Sequence, residues 1–148
     1  MANCKNKYYL PINKKDTLKI HSDSPAHTGL LKYSIDFECK INTPVCASAT
    51  GVVVWLREDS RVGGPDKKYW FKGNRIVIKH KNNEYSAYEH LKYKGVLVKL
   101  GENIIKGQLI GYSGNTGYSF GPHLHFEVFN KPSTDQSDGE TLRVRFEQ

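Results

Sequence analysis

The sequence has few cysteines and lacks the motifs of the most common metal and redox sites. It contains three cysteines, Cys4, Cys39 and Cys46, and no C-x-x-C pair, which excludes a zinc knuckle and a dithiol redox motif. Three cysteines cannot all pair within one chain. Cys39 and Cys46 could bridge, but small unpaired thiols in the interior are the interpretation that we favour. The helical H-E-x-x-H motif is absent as well.

Long hydrophobic runs and helical patterns are also absent. No stretch reaches the length of a transmembrane helix, so we expect no membrane insertion. The N-terminal stretch MANCKNKYYLPINKKD contains no apolar core of signal-peptide length. We therefore expect an export signal to be absent or to have been removed. Nowhere do apolar residues recur with a helical period over eleven or more positions.

Short apolar or β-branched runs separated by glycine- and asparagine-rich turns occupy the chain instead. Many short strands of this kind predict an all-β fold, an antiparallel sandwich or barrel-like sheet. The length of 148 residues, with no repeat and no low-complexity linker, predicts a single domain over residues 1–148. The predicted strands are Tyr8–Ile12, Tyr33–Phe37, Pro44–Ala47, Gly51–Leu56, Arg75–His80, Glu84–His90, Leu109–Tyr112, His123–Phe129 and Thr141–Phe146.

The chain is basic, with a net charge of +7 and a pI of about 9.3. This charge suits an anionic partner such as nucleic acid, a membrane surface or bacterial wall polymer. Basic and acidic residues are interleaved throughout, so a solvated basic surface is the alternative reading. The sequence has neither a concentrated basic stripe nor an RNP-like aromatic motif, and we therefore expect no nucleic-acid partner.

Two polar segments are too long for simple turns. Residues 57–73 (REDSRVGGPDKKYWFKG) and residues 112–121 (YSGNTGYSFG) each join two predicted strands. Long loops on a β scaffold often form the walls of a binding groove. Surface loops without that role are the equally weighted alternative.

The segment GPHLHFEVF, residues 121–129, places two of the six histidines on one face of a predicted strand. Because side chains alternate along a strand, His123, His125 and Glu127 point one way. The intervening apolar residues point the other way and form an ordinary core face. Packing alone would not place a His-x-His pair on the opposite face.

Asp36 lies in a similar position on another predicted strand. In KYSIDFEC, residues 32–39, apolar and polar residues alternate, so Asp36 is on the polar face. Aspartate is disfavoured in strands and needs a reason to be there. A solvated aspartate on an edge strand is the alternative to a functional one.

Histidine and carboxylate together are the usual ligands of catalytic zinc. Without a cysteine pair at metal spacing, a zinc site in this chain should be of the open, catalytic kind. His80 we interpret as structural, and Tyr88 and His90 are expected to share one strand face. The candidate imidazoles are His21, His27, His80, His90, His123 and His125.

Six blocks in order resemble the lysostaphin-like (LytM-type) zinc metalloendopeptidases, from about residue 26 to residue 128. They read AHTG…YSIDF, TPVCASATGVVV, GNRIVIKH, YSAYEHL, GENIIKGQLIG and YSGNTGYSFGPHLHFEVF. The resemblance implies the all-β duplicated hybrid motif as the fold. It also implies a zinc-dependent endopeptidase that hydrolyses peptide bonds in bacterial peptidoglycan cross-bridges through zinc-activated water.

The resemblance carries a ligand set and two catalytic residues onto this sequence. It implies that His27, Asp36 and His125 hold one Zn²⁺ per chain and that His90 and His123 are catalytic. Many members have the spacing H-x-x-x-D, whereas here eight residues separate the first pair. His21 is therefore the fallback ligand.

The two catalytic histidines would replace the glutamate base of helical zinc peptidases. One would take the proton from water, and the other would steady the oxyanion or protonate the leaving amine. Which of the two is the base stays open at this point. Glu127 is expected to orient a ligand histidine, and Asn74, Tyr88 and Tyr118 to shape the groove.

A peptidoglycan substrate implies a cell-envelope or secreted location. The alternative function is a non-catalytic module of the same fold that binds cell wall or a protein partner. The bond cleaved, the biological role and the oligomeric state are left open by the sequence.

Overall fold

The computed structural model describes residues 3–22, 27, 31–131 and 141–147. Within these residues the regular elements are thirteen strands and three short 3₁₀ turns, Lys14–Asp16, Lys67–Tyr69 and Lys81–Asn83. The strands are β1 (Tyr8–Tyr9), β2 (Lys19–His21), β3 (Ile35–Glu38), β4 (Pro44–Cys46), β5 (Gly51–Arg57), β6 (Gly63–Gly64), β7 (Asn74–Lys79), β8 (Tyr85–Val96), β9 (Asn103–Ile104), β10 (Leu109–Ser113), β11 (Gly117–Tyr118), β12 (His123–Phe129) and β13 (Phe146–Glu147).

A nine-stranded antiparallel sheet positions the site. Its main path runs β2-β3-β12-β8-β7-β5-β9, and β10 joins it by pairing with both β8 and β4. Two small parallel pairs lie outside this sheet, β1 with β13 and β6 with β11. The all-β, antiparallel class predicted from the sequence is confirmed. In the part of the chain that the structure describes, no helix has the length and apolar character needed to cross a membrane.

The central strands bury both of their faces. On one face Phe126 packs edge-on against Tyr88, within a cluster that also contains Ile76 and Leu124. The other face holds a smaller cluster, in which Phe129 stacks on Tyr85. Burial on both sides leaves polar side chains in these strands without water, so they must find partners within the protein.

Most predicted strands correspond to observed ones, but β8 continues to Val96, beyond the predicted end at His90. The two terminal predictions are also wrong in extent. At the N-terminal end, Tyr8–Ile12 shortens to Tyr8–Tyr9, because Pro11 has no N–H to extend a ladder. At the C-terminal end, Thr141–Phe146 reduces to isolated bridges at Thr141 and Arg143 and to β13. The sequence missed β2, β6, β9 and β11, which have only two or three residues each.

The cysteines are unpaired, as the sequence analysis favoured. Cys39 is buried, and Cys4 and Cys46 are half-buried. Burial raises the pKa of the Cys4 thiol to about 12 and also raises the pKa values of Cys39 and Cys46. All three are therefore protonated, weakly reactive thiols at neutral pH.

Candidate metal centre and active site

One transverse row of the sheet brings together ionisable residues from five neighbouring strands. Register pairs His21 with Asp36, Asp36 with His125, His125 with Glu89, and Glu89 with Arg75. Directly opposite residues on neighbouring strands project from the same face. Asp36 and His125 thus project from the same face of the sheet, as the alternation of side chains along their strands predicted. Asp36 is buried, which contradicts the alternative of a solvated edge aspartate.

A β-bulge adds His90 to this face. The pairing of β7 with β8 shifts register between Asn74, opposite Leu91, and Arg75, opposite Glu89, which leaves His90 as the extra residue. His90 has a φ of 67°, a left-handed conformation in which histidine is enriched. The expectation that Tyr88 and His90 share a face is wrong. Tyr88 points into the core, whereas the ring centroids of His90 and His123 are 4.5 Å apart.

Buried polar side chains hold the bulge in place. The side-chain amide of Asn74 donates to the Ser60 and Leu91 carbonyls at 3.0 and 3.2 Å, and its Oδ1 accepts from the Ser60 N–H at 2.9 Å. The Thr116 hydroxyl donates to the Leu91 carbonyl at 2.6 Å. Asn74 is completely buried, so it braces the strand beneath the site rather than the surface of a groove.

Three buried side chains have the separations of a tetrahedral metal site. From Asp36 Oδ1, His27 Nε2 is 3.2 Å away and His125 Nδ1 is 3.3 Å away. Ligands about 2.1 Å from a tetrahedral zinc ion lie about 3.4 Å from one another. Asp36 Oδ1 is buried and accepts no hydrogen bond of good geometry from the described residues. The donor set His–Asp–His and this carboxylate oxygen fit a metal ion.

Hydrogen bonds on the far side of each imidazole determine which nitrogen faces Asp36. His27 Nδ1 donates to the Ser22 carbonyl at 3.2 Å, so its Nε2 carries the lone pair when the ring is neutral. His125 is turned the other way, because its Nε2 donates to Glu127 Oε1 at 3.0 Å and leaves Nδ1 toward Asp36. Glu127 therefore makes the orienting contact expected of it.

His90 and His123 are held in one common tautomer. His90 Nδ1 donates to the Thr116 carbonyl at 2.6 Å, and His123 Nδ1 donates to the Gly121 carbonyl at 2.7 Å. A carbonyl oxygen only accepts, so each ring carries its proton on Nδ1 and presents an unprotonated Nε2. His123 Nε2 lies 3.6 Å from Asp36 Oδ1.

The electrostatics separate these groups into charged and neutral sets. Burial alone would raise the pKa of Asp36, but the neighbouring His125 and His27 hold it far below its usual range. Burial lowers the pKa of His90 to about 3 and also lowers that of His123. At neutral pH, Asp36 is therefore a carboxylate, and His90 and His123 are neutral imidazoles able to accept a proton.

A second acidic group lies behind His125. Glu89 and Glu127 approach its Nε2 at 3.7 and 3.0 Å, and these three side chains also have metal-ligand separations. Here, however, Arg75 already supplies a cation, with its Nε 3.4 Å from Glu89 Oε2. Arg75 thus occupies the position of a cation beside Glu89, and we interpret this group as a cluster of protein side chains and not as a metal site. Burial raises the pKa of Glu89, whereas the contact with His125 lowers that of Glu127 against the effect of burial.

A pocket of about 560 Å³ opens in front of the histidines, a size that accommodates a short peptide segment. Of the two interpretations of residues 112–121, the groove wall is the one observed, because residues 118–121 line the pocket. The rings of Tyr118 and the exposed Phe120 are 5.3 Å apart. Trp70, from the other long loop, packs on Tyr118 at 5.6 Å. The lining also includes His27, Asp36, His90, His123 and His125.

Three further candidates lie in different surroundings. Tyr88 is fully buried, so it does not shape the groove surface. His80 is tied to the Thr50 carbonyl and the Ser86 hydroxyl at 2.8 and 2.7 Å, in keeping with a structural interpretation. His21 lines the pocket, with its Nε2 3.7 Å from Glu38.

Sequence reasoning missed Arg75, Glu89 and Thr116. Glu89 lies between Tyr88 and His90 in the sequence. The alternation along its own strand could not show that it stands opposite His125 on the neighbouring strand. A charged residue in the apolar run NRIVIK was the available signal for Arg75. Thr116 carried no signal, because its carbonyl rather than its side chain accepts the hydrogen bond from His90 Nδ1.

The fold and the site together define a class of protein, in which an antiparallel sheet carries a buried His–Asp–His group beside two more histidines. Comparison with known sequences gives this class a family. Residues 31–138 match the profile of Peptidase family M23. The chain belongs to that family, and the resemblance to the lysostaphin-like enzymes is confirmed.

Two relatives each match about two thirds of this chain. The peptidoglycan DD-endopeptidase ShyA of Vibrio cholerae is 43% identical over 93 residues, which are 63% of this chain and 19% of ShyA. Lysostaphin of Staphylococcus simulans is 40% identical over 104 residues, 67% of this chain and 18% of lysostaphin. The chain thus matches about a fifth of the length of these relatives.

A solved structure has the same fold. The crystal structure of a zinc-containing peptidase from Vibrio cholerae superimposes with a TM-score of 0.65 at 28% sequence identity. The match covers 91% of this chain and 41% of that one.

Proposed function

We propose that this chain is a zinc-dependent metalloendopeptidase domain that hydrolyses peptide bonds in bacterial peptidoglycan cross-bridges. The observation that carries the proposal is the buried His27–Asp36–His125 group, with two neutral histidines beside it at the pocket. Relatives named as peptidoglycan endopeptidases and a zinc-containing structural neighbour support both the substrate class and the metal. Such a substrate would place the protein in the cell envelope or outside the cell.

In this proposal His27 Nε2, Asp36 and His125 Nδ1 hold one Zn²⁺. When bound in an open site, zinc acidifies a water molecule and polarises the substrate carbonyl. Glu89 and Asp36 raise the pKa of His125 well above the usual value, against the effect of burial, so the ring is protonated before the metal binds. A proton on its Nδ1 would be released when the metal binds.

His90 and His123 would handle the protons of the reaction at Nε2. Because Nδ1–H of each ring is committed to a backbone carbonyl, neither neutral imidazole can donate from Nε2. One ring therefore has to take the proton from water first, and the resulting imidazolium can then protonate the leaving amine. The 4.5 Å ring separation lets the second ring respond to this charge, so we treat the two as one acid–base unit.

Metal content and activity, measured on the same variants, test these roles. We expect about one zinc per chain in the wild type and its loss in His27→Ala, Asp36→Ala and His125→Ala. His90→Ala and His123→Ala should keep the zinc and lose about 10²- to 10⁴-fold in hydrolysis of purified sacculi. Elemental analysis after dialysis and release of soluble muropeptides are the two readouts.

His21→Ala is the control that decides whether His27 or His21 is the histidine ligand that precedes Asp36 in the sequence. It should retain zinc if His27 is the ligand, whereas retention in His27→Ala and loss in His21→Ala would assign the ligand to His21. A wild type that binds no zinc after reconstitution, yet binds sacculi without cleaving them, would replace the enzyme by the non-catalytic wall-binding module.

A further inference from the structure

Arg75 and Glu89 form a buried ion pair in the middle of the sheet. Their side chains are 5% and 6% exposed, and Arg75 Nε lies 3.4 Å from Glu89 Oε2. They stand directly opposite each other on β7 and β8. Removing a charged side chain from water costs several kcal/mol, and apolar residues of similar volume are often as stable or more stable. Stability alone therefore gives little reason for this pair.

The surroundings of the pair would accept apolar residues. On the same sheet face, the next positions along β7 and β8 are Val77 and Ala87, which belong to a buried apolar cluster with Phe129. The guanidinium of Arg75 itself lies 5.9 Å from the centre of the Phe129 ring. The ion pair thus interrupts an apolar layer at one row of the sheet, and that row contains His125.

Glu89 connects the pair to the ligand group. His125 stands opposite Glu89 on one side and opposite Asp36 on the other. Its Nε2 lies 3.7 Å from Glu89 Oε2 and 3.0 Å from Glu127 Oε1, while Nδ1 lies 3.3 Å from Asp36. Glu127 belongs to the same strand as His125 and cannot by itself fix that strand against β8. Glu89 makes this contact across the strands, and Arg75 holds Glu89 from β7.

We propose that Arg75 and Glu89 are positioning residues that hold the His125 imidazole with Nδ1 toward Asp36. The inference rests on the proposed function, because it gives the pair a role in metal binding. A ligand ring held on both sides loses less freedom when the metal binds and presents its lone pair in one direction. Outer contacts of this kind are worth about 10- to 100-fold in metal affinity.

The variants that test the pair are Arg75→Met with Glu89→Leu, and Glu89→Gln alone. The double variant replaces both charges by apolar groups of similar length, so we expect it to fold. Glu89→Gln keeps the shape of the side chain and serves as the test should the double variant not fold. Both should bind zinc about 10- to 100-fold more weakly in competition with a chromophoric chelator. Both should also shift the visible absorption bands of the Co²⁺-substituted protein.

Glu84→Gln is the matched control, because Glu84 is also a buried carboxylate. It accepts hydrogen bonds from the backbone N–H groups of Lys5 and Asn6 at 2.6 and 3.0 Å. This control should lose stability without a change in zinc affinity or in the Co²⁺ spectrum. Wild-type zinc affinity and an unchanged Co²⁺ spectrum in the folded test variants would overturn the inference. Absence of zinc from the wild type would instead overturn the proposed function.

Discussion

Each imidazole around Asp36 has one nitrogen committed to an acceptor and the other free to act. His27, His90 and His123 commit Nδ1 to backbone carbonyls, whereas His125 commits Nε2 to Glu127. The residue type alone does not distinguish a ligand from a base. The role of each histidine depends on which ring nitrogen is left without a backbone or carboxylate acceptor and on the charged groups near that nitrogen.

At the residue scale, His80 predicts a pH dependence of stability that is independent of the site. Burial lowers its pKa, and its Nδ1–H is already committed to the Thr50 carbonyl at 2.8 Å. The unfolded chain, with a histidine pKa of about 6.5, therefore binds a proton that the folded chain does not. Stability should fall as the pH drops below this value, with a slope of up to about 1.4 kcal/mol per pH unit.

Urea unfolding of the wild type and His80→Gln between about pH 7.5 and pH 5 isolates this contribution. The variant should be the less stable protein at the upper end, and the difference should shrink as the pH falls. The remaining histidines contribute equally to both proteins. Parallel stability curves would mean that His80 does not titrate with unfolding.

At the element scale, the His90 bulge depends on the loop that packs against it. Gly117, at the start of β11, has a φ of 84°, and a Cβ there would lie 2.7 Å from Gly73 Cα and 3.3 Å from His90 Nδ1. The same segment supplies the Thr116 carbonyl that fixes the His90 tautomer. An added methyl group would therefore push on His90 as well as strain the loop.

Gly117→Ala and Gly101→Ala form a matched pair for this idea. Gly101 has the same φ of 84°, but a Cβ there meets nothing within 4 Å. The left-handed backbone should cost each variant about 1–2 kcal/mol of unfolding free energy. The close contact with the Gly73 backbone should cost Gly117→Ala more. Only Gly117→Ala should also lose hydrolytic activity, with zinc retained in both. Full activity in Gly117→Ala at normal zinc content would show that the packing of the loop does not position His90.

At the scale of the whole molecule, the net charge of +7 should act on a polymeric substrate and not on a small one. The Debye length shortens from about 30 Å to about 10 Å between about 0.01 M and 0.1 M salt, which weakens long-range attraction to an anionic wall. Hydrolysis of intact sacculi should slow over this range. Hydrolysis of a short uncharged cross-bridge peptide should not, and an equal effect on both substrates would contradict electrostatic recruitment.

The sequence predicted the class of the fold and the residues that gather at the site better than it predicted their surroundings. Local alternation placed Asp36, His125 and Glu127 correctly, because the direction of a side chain in a strand repeats every two residues. The same rule failed at His90, where an extra residue reverses the alternation. The single-domain organisation over residues 1–148 stays a prediction.

By itself the sequence determined the antiparallel all-β class and the common face of His123, His125 and Glu127, and it favoured unpaired cysteines. These depend on composition and on neighbours along the chain. Only the tertiary structure decided that Arg75, Glu89 and His125 form one row, that Asn74 braces a bulge, and which nitrogen of each imidazole faces the pocket. The reason is physical: strand register and burial join residues far apart in sequence, and a buried polar atom takes its role from the partner opposite it.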